Sequence, residues 1–166
     1  MQQLRRLFDE VRIHTGYDLK KLVRIVICKD EREFLSIRNR MKKRNYRLPP
    51  ESDNILALYF SDDRYIAVSP SVKPNTTSFS MVVLHELGHH LISHEIPPDV
   101  VRKLRRMATR KRGEIEMAYA SIGRGMPWNI EERLCDLFSF AIHPHVQRGT
   151  SLMRKTSRKI LESILI

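Results

Sequence analysis

The chain has 166 residues, 42% of them hydrophobic, which suits one domain over 1–166 with a substantial apolar core. Its 30 lysines and arginines against 19 acids leave a net charge of +11, a balance that favours nucleic acid, acidic protein or an anionic surface as partner. Two cysteines, Cys28 and Cys135, exclude a disulfide framework, and the lack of a run of about eighteen apolar residues excludes a membrane-spanning helix.

The first residues, "MQQLRRLFDEVRIHTG", lack the apolar centre of a signal peptide, so the expected setting is cytoplasmic. Leu4, Leu7, Phe8 and Val11 recur at helical spacing, with Gly16 as a stop. "LVRIVIC" (22–28) is short and β-branched and reads as a strand. Asp30, followed three residues on by Glu33, signals a helix start, and Phe34, Ile37 and Met41 mark its buried face up to Pro49-Pro50. Residues 54–60 and 64–70 read as a strand hairpin around "SDD". A helix from about Ser78 to His94 follows, closed by Pro97-Pro98. From Asp99 the pattern is helical and very basic up to the polar stretch "SIGRGMPWN". Asn129 then caps a helix running to Ile142 before Pro144, and a last helix spans about 151–165 with Leu152, Ile160, Leu161 and Ile164. This order predicts an α+β fold, a small, mostly antiparallel sheet packed on helices.

The chemistry concentrates in "FSMVVLHELGHHLISHE" (79–95). His85 and His89 are four apart and share one helix face, where two neutral imidazoles can meet on a metal ion. Glu86, about a quarter-turn away, is placed to reach a metal-bound water rather than the metal. Gly88 permits close approach of a neighbouring element. The apolar flank "SMVVL" takes the helix into a core, where a pair of histidines needs partners. His90 and His94 face other directions and read as helix-surface or supporting residues.

Two histidines leave a zinc site one ligand short. "NIEERLCDLFSFAIHP" (129–144) supplies a second i, i+4 pair, Glu132 and Asp136. In glutamate-type zincins the third ligand is a glutamate on a downstream helix, and an acid or amide one turn later orients a ligand histidine. Glu132 suits the ligand and Asp136 the orienting role. Glu131 competes, but Glu132 lies nearer the border between solvent and the face carrying Leu134, Phe138 and Ala141.

With these residues in hand, the sequence resembles the ImmA/IrrE-type metallopeptidases over about residues 54–145. "ALYFSDDRYIAVSPSV", "FSMVVLHELGHHLIS" and "EERLCDLFSFAIHP" follow that family's order of hairpin, HExxH helix and a later helix ending in proline. Ser139 and His143 depart from its usual alanine and methionine. The resemblance implies a zincin-like, gluzincin-type core holding one Zn²⁺ per chain. It implies His85, His89 and Glu132 as zinc ligands and Glu86 as the catalytic glutamate of an endopeptidase. Its members often act on helix-turn-helix repressors, which makes a transcriptional repressor the expected protein substrate. His143, His145 and Tyr119 are the candidate donors to the oxyanion, and the 64–70 strand is the expected edge for an extended peptide.

The insert between the two metal-site helices carries Arg102, Lys103, Arg105, Arg106, Arg110, Lys111 and Arg112. These residues are candidates for covering the cleft, gripping an acidic partner or touching nucleic acid, beside the plain reading of a solvated helix face. "RNRMKKRNYR" (38–47), with Tyr46, is a second basic run. Two other readings stand: a SprT-like protease acting on DNA-bound proteins, which would use a histidine as third ligand, and a non-catalytic, zinc-stabilised regulator that grips DNA or a repressor.

Overall fold

A computed structural model describes residues 2–44, 55–143 and 150–165. Asn54, Tyr46, the Pro49-Pro50 stop, Pro144 and His145 lie outside the described residues. The chain opens with α1 (Gln2–Thr15) and β1 (Arg24–Ile27), followed by α2 (Glu31–Lys43) and the hairpin β2 (Ala57–Phe60) and β3 (Tyr65–Val68). Next come α3 (Thr77–His90), a π-helical turn (Leu91–Glu95), α4 (Pro98–Arg110) and α5 (Arg112–Ser121). The last elements are α6 (Ile130–Ile142) and α7 (Ser151–Ile160).

Local chemistry accounts for most of these boundaries. Gly16 ends α1 in the left-handed region, at φ 76°, and its N–H bonds to the Arg12 carbonyl at 2.8 Å. The Asp30 carboxylate accepts the Glu33 N–H at 2.8 Å, while the Glu33 carboxylate accepts the Lys29 N–H at 2.7 Å, so both side chains satisfy open donors at the start of α2. Thr76 and Asn129 cap α3 and α6 by accepting the N–H groups of Phe79 and Glu131.

The fold is α+β, but its sheet is mixed rather than mostly antiparallel. The strand order is β1-β3-β2, with β3 parallel to β1 and antiparallel to β2. The hairpin accounts for the antiparallel half. The long connection through α2 and β2 returns the chain to run alongside β1 in the same direction, as parallel pairing requires. The sheet separates two apolar clusters. Tyr65 and Ala67 of β3 join Phe34, Ile37 and Met41 of α2 on one face, while Ile66 and Val68 join the remaining helices on the other.

Four further expectations need correction. The helix carrying the four histidines leaves α-helical geometry at His90 and finishes as the π-helical turn. Pro98 does not merely close it, because Pro97 and Pro98 also open α4, where the missing N–H costs nothing. The basic insert is two helices broken at Lys111. In α7 it is Met153, with Ile160 and Leu161, that enters the core, whereas Leu152 is 44% exposed. Among the described residues no helix is long and apolar enough to cross a membrane.

Candidate metal centre

The helices α3 and α6 make the broadest helix–helix contact in the fold. Val83, Leu84 and Leu87 anchor α3 in the core, as Leu134, Leu137 and Phe138 anchor α6. Gly88 lies at their closest approach. A Cβ there would stand 3.2 Å from the Cys135 Cα and 3.3 Å from both the Cys135 Cβ and the Phe138 Cδ1. The absent side chain therefore lets the histidine helix reach the helix bearing Glu132 and Asp136.

His85, His89 and Glu132 converge into a group whose ligand atoms all lie within 4.8 Å of one another, a possible metal-binding triad. His85 Nε2 is 3.1 Å from Glu132 Oε2, and His89 Nε2 is 3.4 Å from Glu132 Oε1. The competing acid, Glu131, turns away and pairs with Arg105 at 3.3 Å. Asp136 Oδ1 lies 2.8 Å from His85 Nδ1. Placing the proton on Nδ1 satisfies Asp136 and leaves the Nε2 lone pair facing the other two donors. Burial works against a charged His85, but hydrogen bonds to Asp136 and Glu132 outweigh it and lift its pKa to about 10. Hydrogen bonds from His85 and His89 hold the Glu132 carboxyl well below the usual carboxylate range.

Tyr119 is not a donor toward the cleft. It is fully buried, and its hydroxyl donates to Asp136 Oδ2 at 2.8 Å, completing a Tyr119–Asp136–His85 chain. Burial, then the neighbouring Asp136 charge, raises its pKa far above the ordinary phenol value and keeps the proton in that bond. His143 does reach the site: it is buried and lines the cleft with His85 and Glu86.

Glu86 is 8% exposed and borders the same cleft. Burial raises its pKa, with His85 and His89 pulling in the other direction, and its carboxylate accepts the backbone N–H of Tyr59. The Tyr59 ring lies parallel to His89, at an interplanar angle of 8° and 6.4 Å between centroids. Its hydroxyl lies 2.9 Å from His90 Nδ1. His90 is thus no surface residue: it is fully buried, with Glu95 Oε1 3.2 Å from its Nε2. Burial lowers its pKa to about 4, which keeps the ring neutral at pH 7. His94 meets the Ser61 carbonyl at 3.0 Å.

Several residues of the site carried no sequence signal. Tyr59 sits in a strand whose facing could not be read before the sheet order was known. Arg133, between Glu132 and Leu134 of α6, is buried and bonds to the carbonyls of Pro127 and Trp128 at 2.8 and 2.7 Å. It thereby ties the loop before α6 to the helix that presents Glu132. Arg124 and Arg154 line the cleft and come from a loop and from α7.

The cleft has a volume of about 770 Å³, within the usual range of ligand sites. None of the seven basic residues at 102–112 lines it. Arg102, Lys103, Arg105, Arg106, Arg110 and Arg112 are exposed, and Lys111 pairs with Glu114 at 2.6 Å. The part of the insert that reaches the cleft is instead its end, at Ser121, Ile122 and Arg124. The expected peptide edge also moves. β3 is the central strand, paired on both sides, whereas β2 is an edge strand, and Ala57 with the preceding Ile55 and Leu56 lines the cleft. Compared with protein-family models, curated proteins and solved structures, the chain matches none.

Proposed function

We propose that the chain is a zinc-dependent endopeptidase of ImmA/IrrE type, with a zincin-like core, that cuts a regulatory protein such as a helix-turn-helix repressor. One observation carries the reading: three convergent donors from two helices stand beside a buried glutamate at the wall of a cleft. The donor set fits zinc. Around a tetrahedral ion with bonds of about 2.0–2.1 Å, neighbouring donor atoms lie about 3.3 Å apart. The three donors, one atom from each residue, all lie within 4.8 Å of one another, and each histidine faces its own Glu132 oxygen at 3.1 or 3.4 Å, close enough to draw in around one ion. Two imidazoles and one carboxylate, with a glutamate nearby that is not a ligand, form the composition of a catalytic zinc site rather than a closed structural one. A glutamate in the third position favours this reading over a SprT-like protease.

When bound, zinc would polarise the scissile carbonyl and acidify a water toward neutral pH. The protein groups do the rest. Asp136, held by Tyr119, fixes the His85 tautomer. Glu86 takes the proton of the attacking water on its carboxylate and passes it to the leaving amine. Burial, which raises its pKa, suits it to hold that proton between the two steps. The Tyr59 N–H aims the carboxylate. We assign strand pairing of an extended substrate to the edge of β2 and the oxyanion to His143; β2 being an edge strand and His143 lining the cleft support both. We place the action in the cytoplasm, where the buried, unbridged Cys28 and Cys135 stay reduced.

The test is Glu86→Gln. Zinc content by atomic emission should stay at one per chain, while cleavage of a helix-turn-helix repressor falls by at least about a thousandfold. Cleavage that survives the substitution would remove Glu86 as the base, whereas zinc-loaded wild-type protein that cuts no repressor would point to the non-catalytic, zinc-stabilised regulator. Joint loss of zinc and cleavage would give Glu86 a structural role.

A further inference from the structure

The charges lining the cleft are unequally committed. Its acids are Glu86 and Asp136. Both oxygens of Asp136 are engaged, by His85 and Tyr119, and Glu86 is held by the Tyr59 N–H beside two histidines. Two arginines line the same cleft: Arg124 from the loop after α5, and Arg154 from the start of α7. Arg124 is exposed and Arg154 half-buried, and among the described residues neither joins an ion pair.

Arg154 is also poorly compensated. Burial, then repulsion from Arg158, holds its pKa below the ordinary arginine value. The acid that acts on it, Glu10, is already shared between Arg6 at 4.0 Å and His14 at 3.7 Å. A guanidinium stays charged under such pressure and gains most from an arriving carboxylate. The first turn of α7 borders the cleft through Thr150 and Arg154, and its N–H dipoles add to the same field. Leu56, Met81, Val82, Ile122 and Phe140 add apolar patches to a wall that also carries Ser78, Ser121 and Ser139.

We propose that the cleft selects acidic peptides: Arg124 and Arg154 bind an aspartate or glutamate side chain a few residues from the scissile bond, and apolar neighbours of that residue lie on the walls. This rests on the peptidase reading for the word "scissile" but not for the binding itself. Both arginines are thus specificity-determining residues, and they favour an acidic segment of the substrate over a basic one.

The experiment separates the two ideas. Three fluorescein-labelled decapeptides share an apolar frame and differ at one central position, carrying Glu, Gln or Lys. Binding to zinc-loaded Glu86→Gln protein is followed by anisotropy, and a mixed-sequence peptide library is digested by the intact protein and its products sequenced. The Glu peptide should bind about tenfold tighter than the Gln peptide, with the Lys peptide weakest. In the same background Arg124→Ala and Arg154→Ala should each erase most of that advantage, and the double reversal to Glu should turn the preference toward Lys. Circular dichroism and zinc content establish that the variants are folded. Equal binding of the three peptides, or a preference that survives both alanine variants, would overturn the proposal. Retained Glu preference without any cleavage would sink the peptidase reading and leave the acidic selectivity standing. Cleavage with no acidic enrichment would sink the selectivity alone.

Discussion

Gly88 offers the sharpest test of how the site is built, because it sets the distance between the two helices that hold every proposed ligand. Gly88→Ala places a methyl carbon 3.2 Å from the Cys135 Cα, against a comfortable separation of about 3.5–4.0 Å. The obstacle is backbone, so the α6 helix itself must yield by a few tenths of an ångström. Replacing a helical glycine returns about 1 kcal/mol of helix propensity, while overpacking a core costs about 1–3 kcal/mol. The net loss for alanine is about 1 kcal/mol. Gly88→Val sets two more carbons against the same backbone and should lose about 3 kcal/mol. The shift carries Glu132 and Asp136 with it, since they bracket Cys135 on the same helix. Zinc affinity in Gly88→Val should therefore fall by about tenfold or more, the scale seen when a ligand loses its supporting partner. Urea unfolding of chelator-treated protein measures the first effect, and competition with a chromophoric chelator measures the second. A valine variant with the wild-type midpoint and undiminished zinc affinity would refute the idea that this contact fixes the triad.

Removing one oxygen tests the support of His85. Tyr119→Phe should leave Asp136 Oδ2 without its buried partner, costing about 1–2 kcal/mol in urea unfolding and about tenfold in zinc affinity, and unchanged affinity would detach Tyr119 from the site. The raised pKa of His85, about 10, means that zinc binding at pH 7 must displace its proton, whereas Glu132 is already ionised. Calorimetry in buffers of different ionisation enthalpy should show about one proton released at pH 7 and progressively less as pH rises through about 10. The same shifts govern the stability of chelator-treated protein. The His85 contribution is full below the ordinary histidine value of 6.5 and is lost as pH rises through about 10, whereas the Glu132 contribution is present above 4.5 and lost as pH falls through its depressed pKa. Urea midpoints should therefore decline on both sides of that interval, and a flat profile would contradict the pairing. Arg133→Ala should cost about 3 kcal/mol by freeing the Pro127 and Trp128 carbonyls, with a drop in zinc affinity because Glu132 starts from that loop; an effect on neither would make the anchor superfluous.

Much of the site was legible because helices translate spacing into geometry. His85 and His89 share a face by period alone, as do Glu132 and Asp136, and the caps at Asp30 and Asn129 come from side chains acting within a few residues. The π-helical turn after His90 was not legible, and neither was the burial of His90. His90 is covered by Tyr59, which arrives from β2, while the π-helical turn itself carries Glu95 round to the other ring nitrogen. The mixed sheet was missed for a similar reason: β-branched residues mark a strand, but not which neighbour it pairs with. For the same reason the strand expected to offer a free edge, β3, lies at the centre of the sheet.

What the amino-acid order determined by itself is therefore local: where helices begin, which residues share a face, and that an α+β chain carries two i, i+4 pairs of metal-binding type. Only the tertiary structure decided which residues from distant segments meet. Gly88 against Cys135 brings the two pairs together, Tyr119 turns from the cleft to Asp136, and the long basic insert lends the cleft Arg124 rather than its arginine-rich helix. The physical reason is that backbone periodicity fixes neighbours within about one turn, whereas contacts across the fold follow from how apolar faces share one core, which no single segment specifies.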